Sequence, residues 1–70
     1  MVKDLKDLLV ASLPKKYQGR VKEFYYEDCL IDDCKYMLHF NHPYVFAECE
    51  SVPVRNFKEA RQFVKEADCI

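Results

Sequence analysis

Three runs of strand-forming residues lie almost end to end in the middle of this chain, and the joints between them are too short for anything but reversals. Residues 20–29 (RVKEFYYEDC), 34–40 (CKYMLHF) and 44–52 (YVFAECESV) are rich in aromatic and β-branched side chains. Only residues 30–33 and 41–43 separate them. A parallel crossover needs about a dozen residues or more, so the runs must pair in order as an antiparallel meander. The NHP of residues 41–43 reads as a turn, because asparagine tolerates left-handed backbone and proline lacks a ladder donor.

Helical patterns flank the strands. In residues 2–12, Val2, Leu5, Leu8, Leu9 and Ser12 recur at helical spacing, with Lys3, Asp4, Lys6 and Asp7 on the other side. Pro14 disfavours helical backbone at Leu13 and ends that segment. Gly19, the single glycine, is the residue of the connector that reaches positive φ at least cost. The last helix starts at Asn56, a good N-cap, with Glu59 placed for a capping box. Phe57, Ala60, Phe63, Val64 and Ala67 make its apolar stripe. The expected fold is a single α+β domain over residues 1–70, of order α-β-β-β-α, with a three-stranded antiparallel sheet packed by both helices.

Strand alternation divides the side chains between two faces. In the second run Tyr36, Leu38 and Phe40 form the expected core side, and Met37 and His39 the other. In the first, turning Phe24 and Tyr26 inward keeps Glu23 and Glu27 in water. In the third, turning Val45, Ala47, Cys49 and Ser51 inward does the same for Glu48 and Glu50. With both helices on the core side, the outer face would show Tyr25, Met37, His39, Tyr44 and Phe46 inside a rim of Glu23, Glu27, Glu48 and Glu50. An apolar patch with a charged rim has the anatomy of a protein-binding surface.

The charge is unevenly spread. Residues 21–50 hold seven carboxylates against Lys22 and Lys35, while Lys3, Lys6, Lys15, Lys16 and Arg20 make the first twenty residues basic. An acidic middle suits a basic protein partner better than nucleic acid, which asks for a continuous basic footprint. Four of the carboxylates fall in EDCLIDDC, residues 27–34. Glu27, Asp28, Asp32 and Asp33 lack the spacing and turn glycine of a calcium loop. They read as a displayed hairpin tip, on which Leu30 and Ile31 make an apolar pair that needs cover. The strand parity turns Cys29 and Cys34 to opposite faces unless a bulge intervenes, and a reducing compartment would keep them as thiols.

Other chemistry finds little footing. Cys29, Cys34, Cys49, Cys69, His39 and His42 include enough zinc ligands, but not in the two close pairs of a structural site. A Cys–His nucleophile needs a thiol of lowered pKa beside a base, and no spacing here singles one out. No enzyme activity, cofactor, bound metal or small-molecule substrate is therefore expected. No secretory leader or membrane span is expected either, which points to the cytoplasm.

The α-β-β-β-α order resembles the double-stranded RNA-binding domain, and KEARQ at residues 58–62 is similar to the start of that family's last helix. The resemblance implies phosphate contacts by aligned cations. Arg55, Lys58, Arg61, Lys65, Lys15 and Lys16 could supply some. The approach VPVRNFKEAR lacks most of the family's lysine cluster, and the family's loop between the first two strands is missing.

The function expected is a non-enzymatic interaction or inhibitor module. It would engage a basic protein surface, or a second copy of itself as a homodimer, through Glu27, Asp28, Leu30, Ile31, Asp32 and Asp33 of the tip. The outer-face residues Tyr25, Met37, His39, Tyr44, Phe46 and Glu48 would join them. By class analogy with phage-encoded inhibitors, such a protein could occupy a nucleic-acid-binding cleft. The alternatives are a small nucleic-acid binder using the basic ends and a zinc-stabilised module.

Overall fold

The computed structural model describes residues 4–27 and 35–69. It is a small α+β domain in which two helices lie on one face of a three-stranded antiparallel sheet. The elements are α1 (Leu5–Ser12), α2 (Lys15–Gln18), β1 (Val21–Tyr26), β2 (Tyr36–Phe40), β3 (Tyr44–Val45), β4 (Ser51–Val54), α3 (Phe57–Glu66) and β5 (Asp68–Cys69). The main sheet runs β1-β2-β4, and β3 pairs with β5 in a separate two-stranded ribbon.

The α1 helix ends where Pro14 demands it, with Leu13 extended at φ −98° and ψ 148°. Its buried line differs from the expected one. Leu9 is fully buried, Leu13 is buried just past the helix, and Leu5 packs against the same core. These three stand four residues apart and form one ridge. Leu8 sits off that ridge and is 45% exposed, so its expected core role is corrected. The connector also holds the unforeseen one-turn helix α2, set by Pro14 at its N-cap.

Register explains which strand residues reach the core. Tyr26 lies opposite Tyr36 and Phe24 opposite Leu38, as the parity requires. A bulge then intervenes, because Val21 pairs with Phe40 and Glu23 with His39. Lys22 is the extra residue. It lets Val21 and Phe24, three apart, both be buried, although alternation alone excludes one of them. Tyr26 shares the face of Phe24 but stands at the sheet end, 59% exposed, with its ring edge-on to Tyr36. It is not the core residue expected.

The third run is not one strand. Its first two residues form β3, its end begins β4, and a tight hairpin occupies the middle. Phe46 and Cys49 exchange backbone bonds of 3.0 and 2.8 Å across Ala47 and Glu48. Both of those residues have positive φ, 50° and 66°, as a type I′ turn requires. Neither is glycine or asparagine, so the usual sequence signal is absent. Gly19, by contrast, sits in the right-handed region at φ −73° and uses none of its freedom. The expected inward set is corrected accordingly. Val45 is buried, Ala47 and Cys49 are exposed, and Tyr44 and Phe46 turn toward the core instead. The ring of Phe46 lies 4.5 Å from that of Phe63 on α3. Val52 and Val54 supply the burial from β4.

At α3 the Asn56 side chain accepts a 2.8 Å bond from Glu59 N–H, which caps the helix start. Ala60, Val64 and Ala67 are buried, flanked by half-buried Phe57 and Phe63. The far end is capped from across the chain. Arg20 Nη1 donates to the carbonyls of Val64, Lys65 and Ala67 at 3.2, 3.4 and 2.7 Å. Its guanidinium also lies 4.8 Å from the Tyr17 ring centre and 5.2 Å from that of Tyr44. Asn41 closes the neighbouring corner, donating to Gly19 O and Val21 O at 3.0 Å.

Two stability measurements follow. Arg20→Met should lower the unfolding free energy in urea by about 2 kcal/mol, since charge-assisted bonds to helix carbonyls are lost. Arg20→Lys should recover less than half of that, because an ammonium lacks the planar fork. Replacing Ala47 by Asn together with Glu48 by Gly should raise stability by roughly 1 kcal/mol, by relieving left-handed backbone strain. A loss of stability in the double variant would contradict the turn assignment.

Candidate interaction surface

Because both helices cover one side of the main sheet, its other side carries the alternate residues of each strand. β1 contributes Glu23 and Tyr25, with Glu27 just beyond it, β2 contributes Met37 and His39, and β4 contributes Ser51 and Pro53. Tyr25, Met37 and Pro53 form one row across the sheet, and Glu23, His39 and Ser51 the next. Tyr25 is 39% exposed, Met37 and His39 are half-buried, and Pro53 is exposed.

The Tyr25 and His39 side chains form the structured centre of this face. Their rings lie 5.4 Å apart, 18° from parallel, and Tyr25 Oη is 3.0 Å from His39 Nε2. The diagonal contact holds two rotamers that a bare sheet face would leave free. Packing desolvates the Tyr25 phenol, and the carboxylates of Glu27 and then Glu23 add to the effect, so its pKa is raised above the ordinary tyrosine value.

The expected site residues divide into four groups. Tyr25, Met37, His39 and Glu27 belong to one continuous surface. Asp28, Leu30, Ile31, Asp32 and Asp33 lie outside the described residues, as do Cys29 and Cys34. Tyr44 and Phe46 do not belong to this face. They pack on the helix side, because β3 has left the main sheet for its ribbon with β5. Glu48 is exposed on the strained turn. Ser51, expected on the inward side, lies on this face instead, and Pro53 joins it unforeseen, because Val52 and Val54 take the buried positions on either side.

Of the zinc-type side chains, His39 is engaged with Tyr25, and His42, Cys49 and Cys69 are exposed. Among the described residues no three metal-ligating side chains come together. Two shallow grooves lie among the described residues. A groove of about 430 Å³ runs between the start of α1 and β1, lined by Asp4, Leu5, Lys6, Glu23, Phe24 and Tyr25. A smaller one of about 250 Å³ on α3 is lined by Lys58, Arg61, Gln62 and Lys65.

Comparison with protein-family models, with curated proteins and with solved structures finds no match. The resemblance to the double-stranded RNA-binding domain therefore rests on element order and KEARQ alone. The surface has to be read from its own chemistry. No helix among the described residues is long and apolar enough to cross a membrane.

The tyrosine assignment can be checked by alkaline titration followed in the ultraviolet. A raised folded-state pKa means the neutral phenol is favoured by folding. Its contribution to stability is whole below about pH 10, the unfolded tyrosine value, and is lost as pH rises through the folded value. One late-titrating phenol should disappear in Tyr25→Phe. Glu27→Gln with Glu23→Gln should move it part of the way down, since desolvation is the larger cause. An unmoved late phenol in Tyr25→Phe would refute the assignment.

Proposed function

We propose that this chain is a non-enzymatic protein-interaction module that presents the open sheet face to a basic protein surface. The observation that carries the reading is the Tyr25–His39 pair, stacked and hydrogen-bonded beside Met37 and flanked by Glu23 and Glu27 on a face that neither helix covers. Pre-ordered aromatic side chains lose little entropy on binding and make good anchors. Carboxylates around them favour cationic partners and speed encounter. The acidic segment 27–33 follows β1 directly in sequence, and its Asp28, Asp32 and Asp33 lie outside the described residues. A cytoplasmic setting fits this role.

The α3 groove supports a second reading. Lys58, Arg61 and Lys65 line it together, and three aligned cations can engage phosphates. The helix lies on the side of the main sheet away from Tyr25, so the two readings use different surfaces and can be separated by mutation.

Affinity capture from native-host lysate on the immobilised chain tests the first reading. A basic protein should be retained by the wild-type chain, and lost on Tyr25→Ala with Met37→Ala and on Glu23→Lys with Glu27→Lys. Asp32→Lys with Asp33→Lys should weaken retention as well. Retention that survives all three variants would sink the proposal. Duplex RNA shifted in a salt-sensitive manner, and released by Lys58→Glu with Arg61→Glu, would favour the second reading.

A further inference from the structure

The two edges of the main sheet are unequally protected. Phe40 N–H bonds Glu50 O at 2.7 Å, and Leu38 faces Val52. The ladder phase therefore turns Val52 and Val54 toward β2, and Ser51 and Pro53 outward. Proline has no N–H, so its missing donor falls on the free edge, a common way of blunting an edge strand.

β1 carries only one such device, the bulge at Lys22 near its start. Glu27 N–H bonds Lys35 O at 2.9 Å, and Tyr26 faces Tyr36. By the same alternation Glu23, Tyr25 and Glu27 turn their backbone groups to β2, while Phe24 and Tyr26 turn theirs outward. Among the described residues those outward groups have no backbone partner; Tyr26 is exposed, whereas Phe24 is buried and is reached only from the groove that it lines. The strand is six residues long, contains no proline, and is bulged only near its start, at Lys22. The 430 Å³ groove lies alongside it, so among the described residues there is room at the edge as well as unmet hydrogen bonding.

We propose that the β1 edge accepts an extended peptide segment of a partner as a fourth strand, with lysine or arginine alternating with apolar side chains. This rests on the reading of the sheet face as the contact surface and names the chemistry of what binds there. A guest strand would lie about 4.8 Å from β1 with its side chains alternating between faces. One set would stand beside Glu23, Tyr25 and Glu27, where cations meet two carboxylates. On β2, Lys35 stands opposite Glu27, and Glu23 stands opposite His39, so Glu23 has no lysine or arginine across from it. The other set would enter the groove beside Phe24 and Leu5, where apolar side chains fit.

A second copy of this chain fits the edge less well. Antiparallel self-pairing centred on Tyr25 sets Glu23 against the second copy's Glu27. Centring on Phe24 makes the two Glu23 side chains diagonal neighbours. Like charges at either position oppose pairing.

The test uses nitrogen-15-labelled protein and a capped seven-residue peptide of alternating lysine and valine, with a glutamate–valine peptide as control. Saturation with the lysine peptide should slow amide exchange at Phe24 and Tyr26 by about tenfold or more, and the control should leave both unchanged. Glu23→Lys with Glu27→Lys should weaken the lysine peptide by about tenfold, with the fold verified by its spectrum. Shifts at the Tyr25, Met37 and His39 side chains with unchanged exchange at Phe24 and Tyr26 would overturn the edge while leaving the face reading standing. Protection of those amides without peptide, growing with protein concentration alongside a doubled mass, would overturn it in favour of a second copy. No response to either peptide would overturn the edge inference alone, since the capture experiment judges the face.

Discussion

The structure depends on where the Arg20 guanidinium ends up. A helix leaves its last carbonyls without intrahelical donors, and α3 ends beside the junction of α2 and β1. Arg20 supplies the missing donors from that junction, reaching the carbonyls of Val64, Lys65 and Ala67. The Tyr17 and Tyr44 rings lie against the same cation. One side chain thus joins α2, β3 and α3 at the start of β1. A chain this short has a small core, so a polar junction of this kind carries more weight than it would in a large domain.

Much of the architecture was legible because local signals agreed with one another. Asn56, Glu59 and the stripe of Ala60, Val64 and Ala67 all described the same helix, and the structure forms it from Phe57 to Glu66. The alternation of Tyr36, Leu38 and Phe40 likewise matched the core face of β2. What escaped detection lacked a local signature. Residues 44–52 keep strand composition through Ala47 and Glu48, and only those two left-handed residues break the run. The Lys22 bulge is invisible to a period-two reading, yet it decides that Val21 is buried. Arg20 looked like one more surface cation because its partners lie 44 to 47 residues away.

The candidate surface was legible to the same degree as the strands beneath it. Tyr25, Met37 and His39 followed from alternation in β2 and in the part of β1 beyond its bulge. Tyr44 and Phe46 were misplaced together with the third run, since a strand that changes sheets takes its side chains with it. The direct Tyr25–His39 bond could not be read from spacing, because it is a diagonal contact whose geometry depends on the register of the pair.

Splitting the third apolar run between two sheets also divides the molecule's resistance to opening. β2 is hydrogen-bonded on both sides and buries Leu38 and Phe40, so exposing it requires the whole sheet to come apart. The β3–β5 ribbon rests on two residues from each strand, and Asp68 and Cys69 are exposed. Among the described residues the shortest strand pairing therefore lies beside the end of α3. When it parts, Tyr44 leaves the cation it rests on, and local fraying at the ribbon becomes a loss of order at the helix end. Among the described residues, the pairing that supports the helix end is thus shorter than the pairing that supports the candidate surface.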